Sequence, residues 1–599
     1  MNNSTNNFDV IVVGGGHAGI EAAHAAAKMG SKVLLISINI QRIGWMSCNP
    51  AIGGLGKSHI VYEISALGGL MPQLCTKTYL QSRMLNTKKG PAVQGLRLQI
   101  DKEKYATLSQ ECLTKLQNLT ILQATVDDLI IENNVILGVV TDSHEKFFAP
   151  CVVITAGTFL RGVIHIGSTN YPGGRVDDPP ANHLSPNLAK HGLQIGRLKT
   201  GTPPRLLRSS LDFSKMEKQE ADQLDYLFEF YPHKTTTIRD CYITYTNEET
   251  HRIIRENLTR SALFGGFITG VGPRYCPSIE DKISRFASKN SHHVFVEPES
   301  VLSDDIYPNG LSTSLPADVQ EQYIRSVAGF ESAVITKSGY AIEYDFVYPQ
   351  QLKHTLETKR ISGLFLAGQV NGTTGYEEAA GQGLIAGINA HKKAHNVPPL
   401  ILTREQSYIG IMIDDLVTLG VDEPYRMFTS RAERRITLRQ DNVFLRLMDT
   451  GYNLGLVDKT LYDDFCHERD IITSLVSDLR KKYTTGQLLK IIGEKECNKQ
   501  AVQDLCPQPL SARAVLTIYA EIKYYEYLVR EQREIVKAQK YRELDIAHVD
   551  FKGVPGLSRE LQDKLAKHKP QNIAQAMLIP GMTPAAIALL IFKTREATQ

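Results

Sequence analysis

A chain of 599 residues, 42% hydrophobic and 22% charged, is long enough for several domains with sizeable cores. Its net charge of +3 is too small to mark a nucleic-acid binder by bulk charge, so any such role must rest on local patches. Nine scattered cysteines without a Cys-x-x-Cys pair argue against a disulfide framework and a thiol-pair zinc site, and no run of about 18 apolar residues offers a membrane span. The start, "MNNSTNNFDV", lacks the cationic and apolar regions of a signal peptide, which predicts a cytoplasmic protein.

The segment "FDVIVVGGGHAGIEAAHAAAKMG" predicts a buried parallel strand over Phe8 to Val13. Gly14-x-Gly16-x-x-Gly19 follows, then an alanine-rich helix stopped by Gly30, and "KVLLIS" supplies the next strand. Strand, glycine turn, helix and strand in that order form a dinucleotide fingerprint: the glycines admit a tight turn, and the helix N-terminus favours a pyrophosphate. The acid that usually binds ribose at the end of the second strand is missing, since "LLISIN" offers only Ser37 and Asn39.

Next, "WMSCNPAIGGLGKSHIVYEI" almost spells a nucleoside-triphosphate P-loop, but Ala51 stands where its first glycine belongs and no buried strand precedes it. Residues 49 to 58 are therefore expected to pack as backbone against a cofactor. Lys57 reads as a phosphate contact or a solvated surface lysine. Farther on, "LTILQATVDDLIIENNVILGVVTD" predicts strands turning at Asn133-Asn134, and "KFFAPCVVITAGTFLRG" a strand ending at Thr155-Ala156-Gly157. Residues 205 to 341, rich in aromatic and charged residues, read as an inserted α+β region. A strand over Leu364 to Ala367, then Gly368-Gln369 and a small-residue helix near Gly381 to Ala390, reads as the second half of the interrupted fold, with Gln369 where such folds often carry Asp. Beyond residue 400 the pattern is helical, and Thr583-Pro584 predicts a capped helix start.

Two cysteines stand in polar, glycine- and proline-rich loops: Cys48 before Asn49-Pro50, and Cys276 between Arg274 and Pro277. A neighbouring cation favours a thiolate, which can add to an electron-poor carbon; the alternative is an inert buried thiol. The other seven cysteines read as structural. "EPYRMFTSRAERRITLRQD" gathers Arg426, Arg431, Arg434, Arg435 and Arg439. Arginines suit phosphates, and Tyr425 and Phe428 suit bases; the competing reading is a solvated helix face paired with Glu433 and Asp441. "KTGTPPR" and "YPGGRVDDPP" are candidates for a substrate or nicotinamide channel, or for domain-junction loops.

Together, "GGGHAGIEAA", "MSCNPAIGGLGK", "KGPAVQGLR", "RLKTGTPPR", "CYITYTNEETH", "GVGPRYCPSIEDK", "IYPNGLSTSLP", "FLAGQVNGTTGYEEA" and "EPYRMFTSRAE" run in one order along nearly the whole chain. In these the sequence resembles the MnmG/GidA family of FAD-dependent tRNA-modifying enzymes. The resemblance implies an α/β fold: a two-dinucleotide-binding, Rossmann-like FAD domain, an inserted α+β domain and an all-α C-terminal domain. It sets expected boundaries at 1–204 and 342–400 for the FAD domain, 205–341 for the insertion, 401–550 for a helical domain and 551–599 for a partner-docking subdomain. It implies that Gly14, Gly15, Gly16, His17, Ala18 and Gly19 hold the FAD pyrophosphate, that Val126 lies by the adenine, and that Gly368 and Gln369 meet the flavin end. Gly272, Pro273 and Arg274 belong to the implied NADH contact.

The activity implied is addition of a (carboxymethyl)aminomethyl group to carbon 5 of the tRNA wobble uridine. NADH would be the reductant and 5,10-methylenetetrahydrofolate the one-carbon donor. Cys276 is assigned to addition at uridine carbon 6 and Cys48 to its support. The implied assembly is a homodimer that works with the GTPase MnmE. A related folate- and FAD-dependent tRNA uridine 5-methyltransferase is shorter and lacks a large helical tail, so residues 401 to 599 argue against it. An NADH-dependent disulfide reductase needs a redox-active cysteine pair, which this sequence does not offer, and a non-catalytic flavin-bound redox adaptor is the alternative from another class.

Overall fold

The computed structural model describes residues 6–274 and 277–596. Five short strands make its central parallel sheet: β1 (Val10–Val13), β2 (Val33–Ser37), β3 (Leu119–Gln123), β4 (Cys151–Ile154) and β5 (Leu364–Leu366), in the spatial order β5-β4-β1-β2-β3. Val10 pairs with Val33 on one side and Cys151 on the other, so β1 is central and every one of its residues is buried. That is why this strand reads as an unbroken apolar run instead of an alternating one. β5 comes from far along the chain, yet Leu364 aligns with Val152. The interrupted fold expected from the sequence is thus closed by strand pairing.

Helix α1 (His17–Lys28) follows β1, α2 (Lys57–Ala66) follows the Cys48 loop, and α3 (Tyr376–Ala394) follows β5. α1 and α3 touch through their smallest residues. A Cβ added to Gly383 would lie 2.1 Å from the Ala18 carbonyl oxygen, and one on Gly387 would lie 2.4 Å from that of Ala22. Only glycine permits this approach, and it brings the start of α3 to the same end of the sheet as the start of α1.

A hairpin joins Val126–Glu132 to Val135–Thr141 through Asn133 and Asn134, both left-handed (φ 49° and 61°), as the sequence predicts. A four-stranded antiparallel sheet links Ile195–Thr202 to Tyr340–Val347 and so brackets the insertion. Inside the bracket lies a six-stranded sheet, from Arg205–Leu207 to Ile335–Lys337, with its own apolar core around Leu206, Val296, Ile306 and Phe330. The C-terminal third is helical. One cluster centres on Leu488, Ile518 and Ile522, and a separate one on Leu565, Ile573 and Leu590. The last helix, Pro584–Glu596, is capped by Thr583, whose Oγ1 accepts from the Ala586 N–H at 3.2 Å. Among the described residues no helix is long and apolar enough to cross a membrane.

Glu21 is a buried carboxyl on α1 that accepts from the N–H groups of Leu70 and Met71, which start the helix Met71–Thr78. Burial raises its pKa from 4.5 to about 7, although both N–H groups favour the ion. A raised carboxyl pKa gives stability that is complete below pH 4.5 and lost as pH climbs through about 7. Between pH 5 and 8 the wild-type chain should therefore lose unfolding midpoint relative to Glu21→Gln, measured by urea denaturation at each pH.

Candidate functional site

A continuous cleft of about 330 Å³ runs along the carboxyl ends of β1, β2 and β4 and on toward the inserted sheet. At one end, Gly14 has φ +107° and takes up the hydrogen bond from Thr155 Oγ1 at 2.9 Å. Cβ atoms on Gly14, Gly15 and Gly19 would collide with Thr155, Ile43 and the Gly14 carbonyl respectively, while one on Gly16 would meet nothing within 4 Å. Gly16 thus faces the open cleft at the head of α1, and no side chain caps that helix. An uncapped 12-residue helix beside such an opening suits an anionic diphosphate.

Next to it, His17 Nε2 is buried without a protein partner, and burial lowers the imidazole pKa to about 4. The ring is therefore neutral at pH 7 and lines the cleft beside Gly16. Val126 lines the cleft near Ser37 and Asn39, and Gly368 and Gln369 line it near α3. These features fit an extended dinucleotide such as FAD. No carboxylate ends β2: Asn39 instead donates to Asp178 at 3.2 Å, so an acid reaches this end indirectly, from a loop remote in sequence.

Another part of the cleft is built around Cys48. Its backbone N–H donates to the Tyr376 hydroxyl at 2.6 Å, at the first residue of α3. Its sulfur lies 3.1 Å from the Tyr307 hydroxyl, on the inserted strand Asp305–Asn309, and 3.9 Å from the Gly201 carbonyl. Arg205 reaches behind this group: its guanidinium lies 4.8 Å from the Tyr307 ring centre and donates to Glu299 at 2.8 Å. Lys102 pairs with the other oxygen of Glu299, and burial pulls the Lys102 pKa down against that attraction.

Lys57 is neither a phosphate ligand nor a surface residue. It is buried and paired with Glu377 at 2.7 Å and Glu378 at 2.9 Å. Burial would raise the Glu377 pKa, but Lys57 and the backbone N–H donors together hold the carboxyl below its usual range. Glu377 also accepts from the Gly53 N–H at 2.7 Å, so the glycine stretch after Cys48 is fixed as backbone beside the cleft, where the sequence expects it.

The arginine cluster divides. Arg439 is fully buried between Asp441 (3.0 Å) and Glu521 (2.6 Å), which corrects its assignment as a tRNA contact. Tyr425 is buried too, donating to Asp415 with Arg431 stacked over it at 4.2 Å, so it has no free face for a base. Arg426 lines the cleft, Arg434 is half-buried beside the Glu531 carbonyl, and Arg435 is exposed. The segment is irregular, with one 3₁₀ turn, and no solvated helix face forms. Pro273 lines the cleft, Gly272 packs near Lys199 and Arg274 is exposed; Cys276 lies outside the described residues.

Tyr307, Tyr376, Arg205, Glu377 and Glu378 were not legible as site residues. The available signal was two acids in the first turn of α3 after Gly-Thr-Thr-Gly, which by themselves complement any helix dipole.

Fold and cleft define a dinucleotide-binding α/β protein of the two-segment kind, with an inserted sheet domain and a helical tail. A model of the family described as glucose inhibited division protein A matches residues 9–398, and one described as tRNA modifying enzyme MnmG/GidA C-terminal helical bundle matches 534–599. The chain is 47% identical to a protein of Thermodesulfovibrio yellowstonii named tRNA uridine 5-carboxymethylaminomethyl modification enzyme MnmG, over 99% of this chain and 98% of that one. Two crystal forms of Aquifex aeolicus GidA are 44% and 42% identical, each with a TM-score of 0.87, covering 98% and 99% of this chain and 100% of theirs. The chain belongs to the GidA family.

Because Gly16 faces open space, Gly16→Val should fold normally yet lose its bound dinucleotide, checked by flavin absorbance against an unchanged circular dichroism spectrum. Arg439→Ala leaves the buried Asp441 carboxylate without its partner and should cost about 3–5 kcal/mol. Arg435→Ala should change urea stability by less than about 0.5 kcal/mol.

Proposed function

We propose that this chain is an FAD-dependent tRNA modification enzyme that adds a (carboxymethyl)aminomethyl group to carbon 5 of the wobble uridine. The observation that carries this reading is full-length similarity to a relative of that name, joined to a cleft with a diphosphate cradle at one end and Cys48 at the other. Gly14 to Gly19 would hold the FAD pyrophosphate, Val126 the adenine side, and Gly368 with Gln369 the flavin. FAD, when bound, supplies the redox and one-carbon-carrying chemistry of the reaction. NADH as reductant, with Gly272 to Arg274 as its contact, and 5,10-methylenetetrahydrofolate as donor complete the reading. So do a homodimer, a cytoplasmic setting, and the GTPase MnmE docked on the C-terminal helices.

The chain's own residues have definite tasks. Uridine carbon 5 is a poor nucleophile. A thiolate from Cys276 adding at carbon 6 would push electron density onto carbon 5, and Cys48 supports that thiol. Bond formation at carbon 5, loss of its proton and expulsion of the thiolate then restore the ring. Neutral His17 donates or accepts a hydrogen bond at the diphosphate without adding charge. Arg426, Arg431, Arg434 and Arg435 are the candidate contacts for tRNA phosphates. The helical residues 401 to 599 favour this reading over the shorter 5-methyltransferase.

Purified protein should be yellow and should bleach with NADH. Cys276→Ser and Cys48→Ser should each retain the yellow colour and lose the modified nucleoside from tRNA, read by mass spectrometry of digested tRNA. A colourless wild-type protein that takes up no FAD, or full modification by both variants, defeats the proposal.

A further inference from the structure

Cys48 lies on a loop gripped by parts of the chain remote in sequence, and one of those contacts meets its sulfur atom. Tyr307 Oη is 3.1 Å from Cys48 Sγ, closer than the Gly201 carbonyl at 3.9 Å. The tyrosine is fully buried, locked in a strand whose neighbour places Glu297 opposite it. Its ring face carries the Arg205 guanidinium at 4.8 Å. Arg205 is held in turn by Glu299, Thr202 Oγ1 (2.6 Å) and the Pro203 carbonyl (2.7 Å), and its remaining nitrogen reaches the Ser47 carbonyl at 3.4 Å. Arg205 therefore touches both the ring of the tyrosine and the residue before the cysteine.

The remaining groups facing this pair are few among the described residues. Tyr376 accepts from the Cys48 N–H, and burial raises its own pKa well above 10, so its hydroxyl stays protonated. Tyr340 stands near both Cys48 and Arg205. Arg175 donates to Ser47 Oγ at 3.2 Å. Lys102 and Glu299 form an ion pair behind Arg205. Among the described residues the sulfur's hydrogen-bonding neighbours are the Tyr307 hydroxyl and the Gly201 carbonyl, and the Arg205 guanidinium lies over the tyrosine ring.

We propose that Tyr307 is a positioning residue that donates its hydroxyl hydrogen to the Cys48 sulfur and, backed by Arg205, holds that sulfur as a thiolate ready to act in the cleft. A hydrogen bond and a nearby cation both favour the charged form of a thiol. Ionisation releases the thiol proton to water in the cleft and leaves the charge on sulfur; no other bond changes. Tyrosine suits the task because it stays protonated near pH 7, where a histidine or carboxylate partner would compete for the same proton. The proposal rests on the reading of Cys48 as one of two working thiols, and it deepens that reading by assigning the group that prepares it.

The test reads thiol acidity directly, on the full-length flavin-loaded protein, and does not depend on tRNA modification. Iodoacetamide alkylation is followed from pH 5 to 10, with the peptide carrying Cys48 quantified by mass spectrometry so that the other cysteines do not contribute. The wild-type midpoint is expected below the free-cysteine value of about 8.5. Tyr307→Phe should raise it by about one pH unit, which slows alkylation at pH 7 by a factor of up to about ten. Tyr376→Phe, which removes the acceptor of the Cys48 backbone N–H, should shift it less. A wild-type midpoint at or above about 8.5 overturns the proposal with no variant needed. An unchanged midpoint in Tyr307→Phe, with flavin absorbance and melting temperature preserved, also overturns it, as does an equal shift in Tyr376→Phe. Should tRNA go unmodified while Cys48 shows the low, Tyr307-dependent midpoint, the function reading fails and this inference stands.

Discussion

One buried ion group holds the site together: Lys57 between Glu377 and Glu378. It ties the first turn of α2 to the first turn of α3, and Glu377 also fixes the backbone of Gly53. Glu378 reaches the other way and accepts from the Met427 N–H at 2.9 Å. The Cys48 loop, the second dinucleotide segment and the arginine-bearing segment are all anchored to these three side chains. Burying such charges is costly, and the arrangement survives because every carboxylate oxygen has a donor. Losing any one partner would strand charge in the interior.

The same economy of position appears at the α1–α3 contact. Glycines on α3 let its backbone approach α1 closely enough that both helix starts open on one cleft. From there the cleft gains its two chemical ends. One is a glycine turn with an uncapped helix, suited to a diphosphate. The other is a thiol beside tyrosines, whose surroundings come from two separate sheets and the start of α3. The inserted domain is therefore part of the site's construction, since it carries Tyr307 and Asn309 to the cleft wall.

Arginine composition was a poor guide to what arginines do here. In one short segment Arg439 is an interior ion-pair hub, Arg431 stacks on a buried tyrosine, and Arg435 stands in solvent. Arg404, which no motif singles out, joins Asp415 and Glu433 at 2.5 Å each. A charge run reports how many cations are present. Which of them keep water, and so remain available to phosphates, depends on acids far away in the chain.

The sequence by itself determined the features that local chemistry controls. The glycine turn between β1 and α1, the left-handed Asn133-Asn134 hairpin, the capped start at Thr583 and the split of the dinucleotide fold around an insertion all follow from short-range backbone rules. The folded chain alone decided the rest. Lys57 became an interior ion, Asp178 came to the end of β2 through Asn39, Tyr307 came to the Cys48 sulfur, and Arg439 withdrew from the surface. Each depends on pairings across a hundred or more residues, or on burial, and neither leaves a periodic trace in the residues themselves. Local conformation is set by neighbours within a turn, whereas a site's electrostatics is set by whichever groups long-range packing removes from water together.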